Sequence, residues 1–109
     1  MWLLTSIGFF SVVEKAGDKG NGTLTVRARI QDDLETLRDQ YLPSLGPILK
    51  DVGTDYQFRA TAPREDLSKA VSRLVSDIDY SNFKNAIAMR QGLKRESLYH
   101  RVWNVLAGL

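Results

Sequence analysis

Between Thr23 and Ile30 the chain alternates without a slip, with Leu24, Val26, Ala28 and Ile30 on one parity and Thr25, Arg27 and Arg29 on the other. Period-two alternation is the signature of a strand with one face in a core and one face outside it. The chain is therefore expected to build a sheet with a dry side and a basic side. The run Ala16-Gly-Asp-Lys-Gly-Asn-Gly22 just before it supplies the turn residues of a hairpin loop, which sets this strand antiparallel to the one preceding it. The glycines of that loop neither follow dinucleotide-binding spacing nor precede a helix, so the loop reads as structural.

The preceding segment, Trp2 to Glu14, reads as a single strand with a bulge at Gly8. It is apolar at both parities: Leu4, Phe10 and Val12 on one, Leu3, Ile7, Phe9 and Val13 on the other. Such a strand needs cover on both sides, and leaving a Leu- or Phe-sized side chain in water forfeits about 1.5–3 kcal/mol. A homodimer through the sheet face opposite the helices would supply that cover, as would a C-terminal segment wrapping to the far face. Met1 to Val13 lacks the basic lead and small-residue cleavage site of a signal peptide and is too short to span a bilayer, so a soluble, mature protein is expected.

Downstream the period changes. A helix is expected from about Asp32, with Asp32 and Glu35 as a capping box and Leu34, Leu37, Tyr41 and Leu42 as its stripe, ended by Pro43. After a loop from Ser44 to Gly53, Thr54 to Ala62 reads as a third strand, Tyr56, Phe58 and Ala60 opposing Gln57, Arg59 and Thr61. Pro63 fits the first turn of a second helix, whose stripe is Leu67, Ala70, Val71, Leu74, Val75 and Ile78. Ser81 is expected to cap a third helix stopped near Gly92. A fourth, Lys94 to Leu106, is expected to bury Leu98, Val102, Val105 and Leu106.

The order ββαβααα predicts an α+β fold: an antiparallel sheet of three or more strands with helices on one face, ferredoxin-like by analogy. Residues 1–109 form one such domain, ending in a basic helical segment, 81–109. The length suffices for a core without disulfides or a metal as staples. The absence of cysteine excludes a disulfide framework, a thiolate zinc site and cysteine nucleophiles, and a reducing cytoplasm is the expected setting.

Five segments, Trp2-Leu-Leu-Thr-Ser-Ile-Gly-Phe-Phe-Ser-Val-Val13, Leu24-Thr-Val-Arg-Ala-Arg29, Asp55-Tyr56, Ile78-Asp-Tyr-Ser-Asn-Phe-Lys84 and Tyr99-His-Arg-Val-Trp103, together resemble a family of small uncharacterised bacterial proteins. The likeness covers nearly the whole chain and implies a free-standing bacterial domain. With no assigned activity in that family, it lends no residue a role. The Lys19-Gly-Asn-Gly22 part of the loop is longer than a member would carry.

Charge is distributed unevenly. From Ser81 onward Lys84, Arg90, Lys94, Arg95 and Arg101 face only Glu96, a net +4 in a chain whose total is +2. Together with Phe83, Tyr99 and Trp103 these cations have the composition of a surface for nucleic acid or an acidic protein, although helical spacing equally suits the aromatics as core anchors. Arg27 and Arg29 share a strand face, joined by Arg59 if both strands turn their apolar parity to the helices. Three guanidiniums there suit phosphate or carboxylate, with Phe10 as a candidate stacking ring, unless acids of the same chain pair with them or they border a dimer contact.

The segment Gly8-Phe-Phe-Ser-Val-Val13 does not match the RNA-recognition octamer, lacking its basic lead and its small residue. His100, the only histidine, cannot form a two-histidine metal site, and no cofactor is implied. The expectation is a non-enzymatic binding domain for an anionic partner, an acidic protein or a nucleic acid. The alternative is a small metal-independent nuclease or phosphoesterase in which His100, Tyr99 and Arg101 supply acid–base and phosphate-stabilising groups.

Overall fold

The alternating segment becomes the central strand of a sheet. The computed structural model describes residues 1–109. Strands β1 (Trp2–Thr5), β2 (Gly8–Val13), β3 (Thr23–Ala28), β4 (Leu49–Lys50) and β5 (Phe58–Pro63) form one antiparallel sheet of five strands, ordered β1-β2-β3-β5-β4. Four helices accompany it: α1 (Gln31–Gln40), α2 (Arg64–Ser76), α3 (Phe83–Gln91) and α4 (Leu93–Leu106). The architecture is α+β, and the ferredoxin-like likeness is one of layering only, since β3 and β5 pair directly and antiparallel.

One parity of each long strand makes the core. Phe10 and Val12, Val26 and Ala28, and Ala60 and Ala62 are buried beneath Leu34 and Leu37 of α1, Leu67 and Ala70 of α2, and Leu42 and Leu45 of the following loop. Alanines at 28, 60, 62 and 70 leave little side chain between layers, so helix and sheet backbones can approach closely. The opposite parity carries Phe9, Ser11, Thr25, Arg27, Arg59 and Thr61; α1 and α2 leave that face uncovered, but Ser11 and Thr25 are buried there beneath the arginines and the loop that carries Tyr56.

The expected single strand from Trp2 to Glu14 is instead the hairpin β1-β2, and Gly8 is not a bulge. Thr5 pairs with Gly8 across a two-residue turn of Ser6 and Ile7. That turn lacks the glycine or asparagine by which such loops are recognised, and no non-glycine residue in the chain has a positive φ. Thr5 closes the turn itself, its Oγ1 accepting from the N–H groups of Ile7 and Gly8 at 3.2 and 3.1 Å. Side-chain closure leaves no sequence mark distinguishable from an uninterrupted apolar strand.

Other boundaries also shift. Helix α1 starts at Gln31 after an extended Ile30, without a side-chain cap. Asp32 therefore forms no capping box, and Glu35 accepts from Gln31 Nε2 at 2.8 Å. Strand β5 begins at Phe58 rather than Thr54, because Thr54 Oγ1 turns back onto the carbonyls of Asp51 and Tyr56. Pro63 ends β5 and precedes α2 instead of occupying its first turn. In α2, Leu67 and Ala70 are buried, but Val75 is exposed and Ile78 lies beyond the helix end. Asn82 rather than Ser81 caps α3, its Oδ1 accepting from Asn85 N–H at 2.9 Å.

The largest correction concerns α4. Leu98, Val102, Val105 and Leu106 are 46, 37, 77 and 53% exposed, and Tyr99 is the buried residue of that helix. Helix α4 packs mainly on α3, through the stacked rings of Phe83 and Tyr99 with centroids 5.9 Å apart, and does not lie on the main core.

Asp33, at the start of α1, ties these parts together. Its Oδ2 accepts from Phe9 N–H of β2 at 3.0 Å, and its two oxygens take Arg95 of α4 in a bidentate pair at 2.8 and 3.0 Å. Gly8 must be glycine for this, because a Cβ there would lie 2.7 Å from Asp33 Cγ. At the other end of the sheet the buried Asp18 holds the hairpin loop, accepting from Thr23 and Thr25 hydroxyls at 2.7 and 2.8 Å and from Lys15 N–H at 2.8 Å. The loop glycine Gly22, at φ +66°, follows a left-handed path and offers its carbonyl to Arg64 N–H.

Gly8→Ala is expected to destabilise the protein by about 1–3 kcal/mol, as overpacking does, read from the urea midpoint. The Thr23 hydroxyl, foremost among its donors, holds the Asp18 carboxyl below the ordinary aspartate value, so its stabilisation is present above that ordinary value and is lost as the pH falls through the lowered folded-state value. Asp18→Asn should accordingly lower the urea midpoint at neutral pH, with the gap to the parent protein narrowing as the pH falls through the lowered carboxyl value. A gap independent of pH would contradict this role.

Candidate anion-binding face

On the open face of the sheet the arginines converge. Arg27 of β3 stands directly opposite Arg59 of β5 in the strand register, and Arg29 follows just past the end of β3. The guanidinium carbons of Arg27 and Arg29 lie 4.7 and 4.6 Å from the centroid of the Tyr56 ring. Arg27 also donates to Ser11 Oγ at 2.8 Å, Arg29 to the Asp55 carbonyl at 2.6 Å, and Arg59 to Thr54 Oγ1 at 3.0 Å and the Tyr56 carbonyl at 3.3 Å.

None of the three forms a salt bridge, although the chain contains five others. The Nε atoms of Arg27 and Arg59 are buried without any partner. Like charges directly across a strand pair are unfavourable, and a buried N–H of a charged group lacking an acceptor is costly. The ring of Tyr56 and a few neutral oxygens offset part of this. An anion placed beside the guanidiniums would offset the repulsion between their charges.

Aromatic rings extend the patch toward the sheet edge. Tyr56 lies 6.2 Å from Phe9, and Phe9 lies 6.1 Å from Trp2, edge to face. Trp2 is 69% exposed. Phe10, the stacking ring expected from the sequence, is fully buried on the helix side, because the hairpin register assigns the open face to Phe9. Beyond Arg59 a hollow of about 280 Å³ is lined by Lys15, Thr25, Arg59 and Thr61. Cations and rings thus cross the sheet from Trp2 on β1 to Arg59 on β5, which three interstrand spacings of ~4.8 Å make about 14 Å wide.

Between this face and α4 runs a groove of about 480 Å³, walled by Trp2, Leu4 and Phe9 on the sheet side and Leu98, Tyr99 and Val102 on the helix side. Arg29 lines it as well, so it opens onto the arginine patch. The Tyr99 hydroxyl is closed off from solvent, with the Arg95 guanidinium beside it. Burial pushes its phenol above the ordinary value, with Arg95 nearby opposing the shift. Arg95 itself is held above its usual value, chiefly by its hydrogen bonds to Asp33.

The basic C-terminal segment is not one surface. Arg95 is engaged by Asp33, and Arg90 donates to Asp79 Oδ1 and Ser6 Oγ, both at 2.9 Å. Lys84 Nζ lies 3.3 Å from His100 Nδ1 and 5.1 Å from the centroid of Trp103. Only Lys94 and Arg101 are exposed without an ion pair or other polar side-chain partner. Most of the +4 charge therefore fastens α3 and α4 to the hairpin and to each other.

His100 stacks on Trp103 at 5.6 Å. An ammonium only donates, so Nδ1 accepts from Lys84 and the proton of a neutral ring sits on Nε2. His100 makes no pair with a carboxylate, and the strand arginines gather on Tyr56 instead. No three His, Asp or Glu side chains come together as a metal site would require. The largest hollow, about 710 Å³, is lined by Tyr41, Asp77, Asp79 and Arg90, which already pair as Tyr41 with Asp77 and Arg90 with Asp79. No helix is long and apolar enough to cross a membrane.

Strand parity made Arg27, Arg29 and Arg59 visible in the sequence. Alternation had set Tyr56 with Phe58 and Ala60 on the parity opposite Arg59, but it precedes β5 in a loop that folds back onto Arg27 and Arg29, and Trp2 belonged to an unrecognised hairpin. No protein-family model, curated protein or solved structure matches the chain.

Proposed function

We propose that this protein is a non-enzymatic binding module that takes single-stranded nucleic acid across the open face of its sheet. The observation that carries the reading is the cross-strand pair Arg27 and Arg59, with Arg29 beside it, gathered without an acid and with buried Nε atoms lacking acceptors. Phosphates would accept from those guanidiniums, and bases would stack on the rings that continue toward Trp2. Stacking is what favours nucleic acid over an acidic protein, which would use the cations and leave Trp2 idle. Single strands fit better than duplex, whose bases are not available to an aromatic platform.

A cysteine-free domain of the bacterial family it resembles would meet such strands in the cytoplasm. A homodimer through this face is the competing use of it, but a two-fold contact would bring two acid-free arginine clusters together. A phosphoesterase centred on His100 has no separate observation in its favour.

Fluorescence anisotropy with a labelled RNA octamer tests the reading. Three phosphate contacts imply a logarithmic salt slope of about −2, so affinity should fall about twentyfold from 50 to 200 mM salt. Arg27→Ala and Arg59→Ala should each reduce that slope by about 0.7. Trp2→Ala should cost about 1–3 kcal/mol with the slope unchanged. Absence of binding at low salt would remove nucleic acid as the partner, and a mass twice that of the monomer in light scattering would favour the dimer.

A further inference from the structure

We infer that the apolar trough along α4 is a seat for an acidic amphipathic helix of a partner protein. This goes beyond the strand-binding reading and does not depend on it, because the trough leads away from the arginine face.

The groove that α4 forms with the sheet continues into a second hollow of about 390 Å³, which shares Leu4, Tyr99 and Val102 with it and is completed by Phe83, Trp103 and Leu106. Together they follow α4 from Arg95 to Leu106, about 17 Å at about 1.5 Å per residue, the length of about three turns of a second helix. Leu98, Val102 and Leu106 stand along this path at intervals of four, a ridge of the kind on which another helix packs. Leu98, Trp103 and Leu106 are about half exposed, and a contiguous apolar surface of this kind marks a site of protein association.

The trough offers an occupant few hydrogen-bonding groups. Asp33 and Arg95 are paired with each other and the Tyr99 hydroxyl is closed off, which leaves Arg29 at one end and Asn82 and Lys84 at the other. An extended peptide would lose water from its main-chain groups there without gaining partners, whereas a helix satisfies its own. A small ligand is a poor match as well, because walls this exposed do not enclose one.

Charge selects the kind of helix. Lys94 and Arg101 lie four residues before and three after Leu98, hence beside it on the surface of α4, and Lys84 lines the far hollow. None of the three is in an ion pair. No unpaired acid lines the trough, and Glu96, the one acid of α4, lines neither hollow. An apolar stripe bordered by Asp or Glu therefore meets both the ridge and the cations beside it. A second copy of this chain does not, since a two-fold contact of α4 on α4 would set Lys94 and Arg101 against their own counterparts.

The test titrates the full chain with a helical peptide of about 14 residues that carries leucine at i, i+3, i+4 and i+7 and glutamate on both flanks. The controls are the same peptide with lysine in place of glutamate and an isomer with its leucines dispersed around the helix. The glutamate peptide is expected to bind about tenfold or more tighter than either control. Leu98→Ala and Leu106→Ala should each weaken it about fivefold, with urea midpoints little changed because both side chains are half exposed. Arg101→Glu should weaken the glutamate peptide and strengthen the lysine peptide. Amide shift changes should concentrate on α4, Leu4 and Phe83. Absence of binding, or equal affinity for the glutamate peptide and either control, would overturn the seat. Shift changes centred on Arg27, Tyr56 and Arg59 would also overturn it, because the acids would then be using the arginine face. A dimer in light scattering that Leu98→Ala abolishes would assign the trough to a second copy instead. Binding of the RNA octamer, measured separately, judges the strand-binding reading whatever the peptide does.

Discussion

The Asp33 carboxylate is the joint on which this architecture turns. It belongs to α1, which is part of the main core, and it reaches both the β2 backbone at Phe9 and the guanidinium of Arg95 on α4. A buried aspartate with only the arginine would be a doubtful source of stability, since desolvation can cancel the Coulomb attraction. Here the carboxylate also accepts a main-chain N–H, so it satisfies a donor at the start of β2 as well as balancing a charge. Its removal would leave Arg95 without its counter-ion and Phe9 N–H without its acceptor. Gly8 is the steric condition for the joint, because the carboxylate occupies the space of the missing Cβ.

The placement of α4 follows from that joint. The helix carries an apolar stripe that would suit a core, but its attachments are Arg95 on Asp33, Tyr99 on Phe83, and the α3 contacts of Arg90 and Gln91 with Ser6. These hold the α3–α4 pair against the β1-β2 hairpin and leave Leu98 and Val102 facing Trp2 and Leu4 across a groove. The apolar excess of the hairpin is thus covered from the far side by its own chain, though only in part. A polar anchor has set the position of an amphipathic helix, and the groove is what remains between them.

The two faces of the sheet illustrate one sequence rule with two outcomes. On the core side, alternation places valine and alanine under α1 and α2. On the other, the same alternation places Arg27 opposite Arg59, a juxtaposition with no stabilising role of its own. It persists because Tyr56 offers a ring and Ser11, Thr54 and main-chain carbonyls accept some of the donors. The buried Nε atoms mark where the chain's own acceptors run out.

By itself the sequence determined what short-range periodicity can encode. Alternation from Leu24 to Arg29 specified a strand with a dry face and a basic face, the glycine-rich loop specified an antiparallel neighbour, and the stripe at Leu34 and Leu37 specified a helix for the dry face. Those statements depend on residues two to four apart, where backbone geometry dictates which side chains share a side. Only the tertiary structure decided the rest. That Thr5 closes a hairpin, that Phe9 rather than Phe10 faces outward, that Tyr56 folds back between two arginines and that Arg95 is spent on Asp33 are facts of register and long-range contact. The Asp33–Arg95 pair spans 62 positions, and no local pattern distinguishes a cation that will meet a buried carboxylate from one that will stay in water.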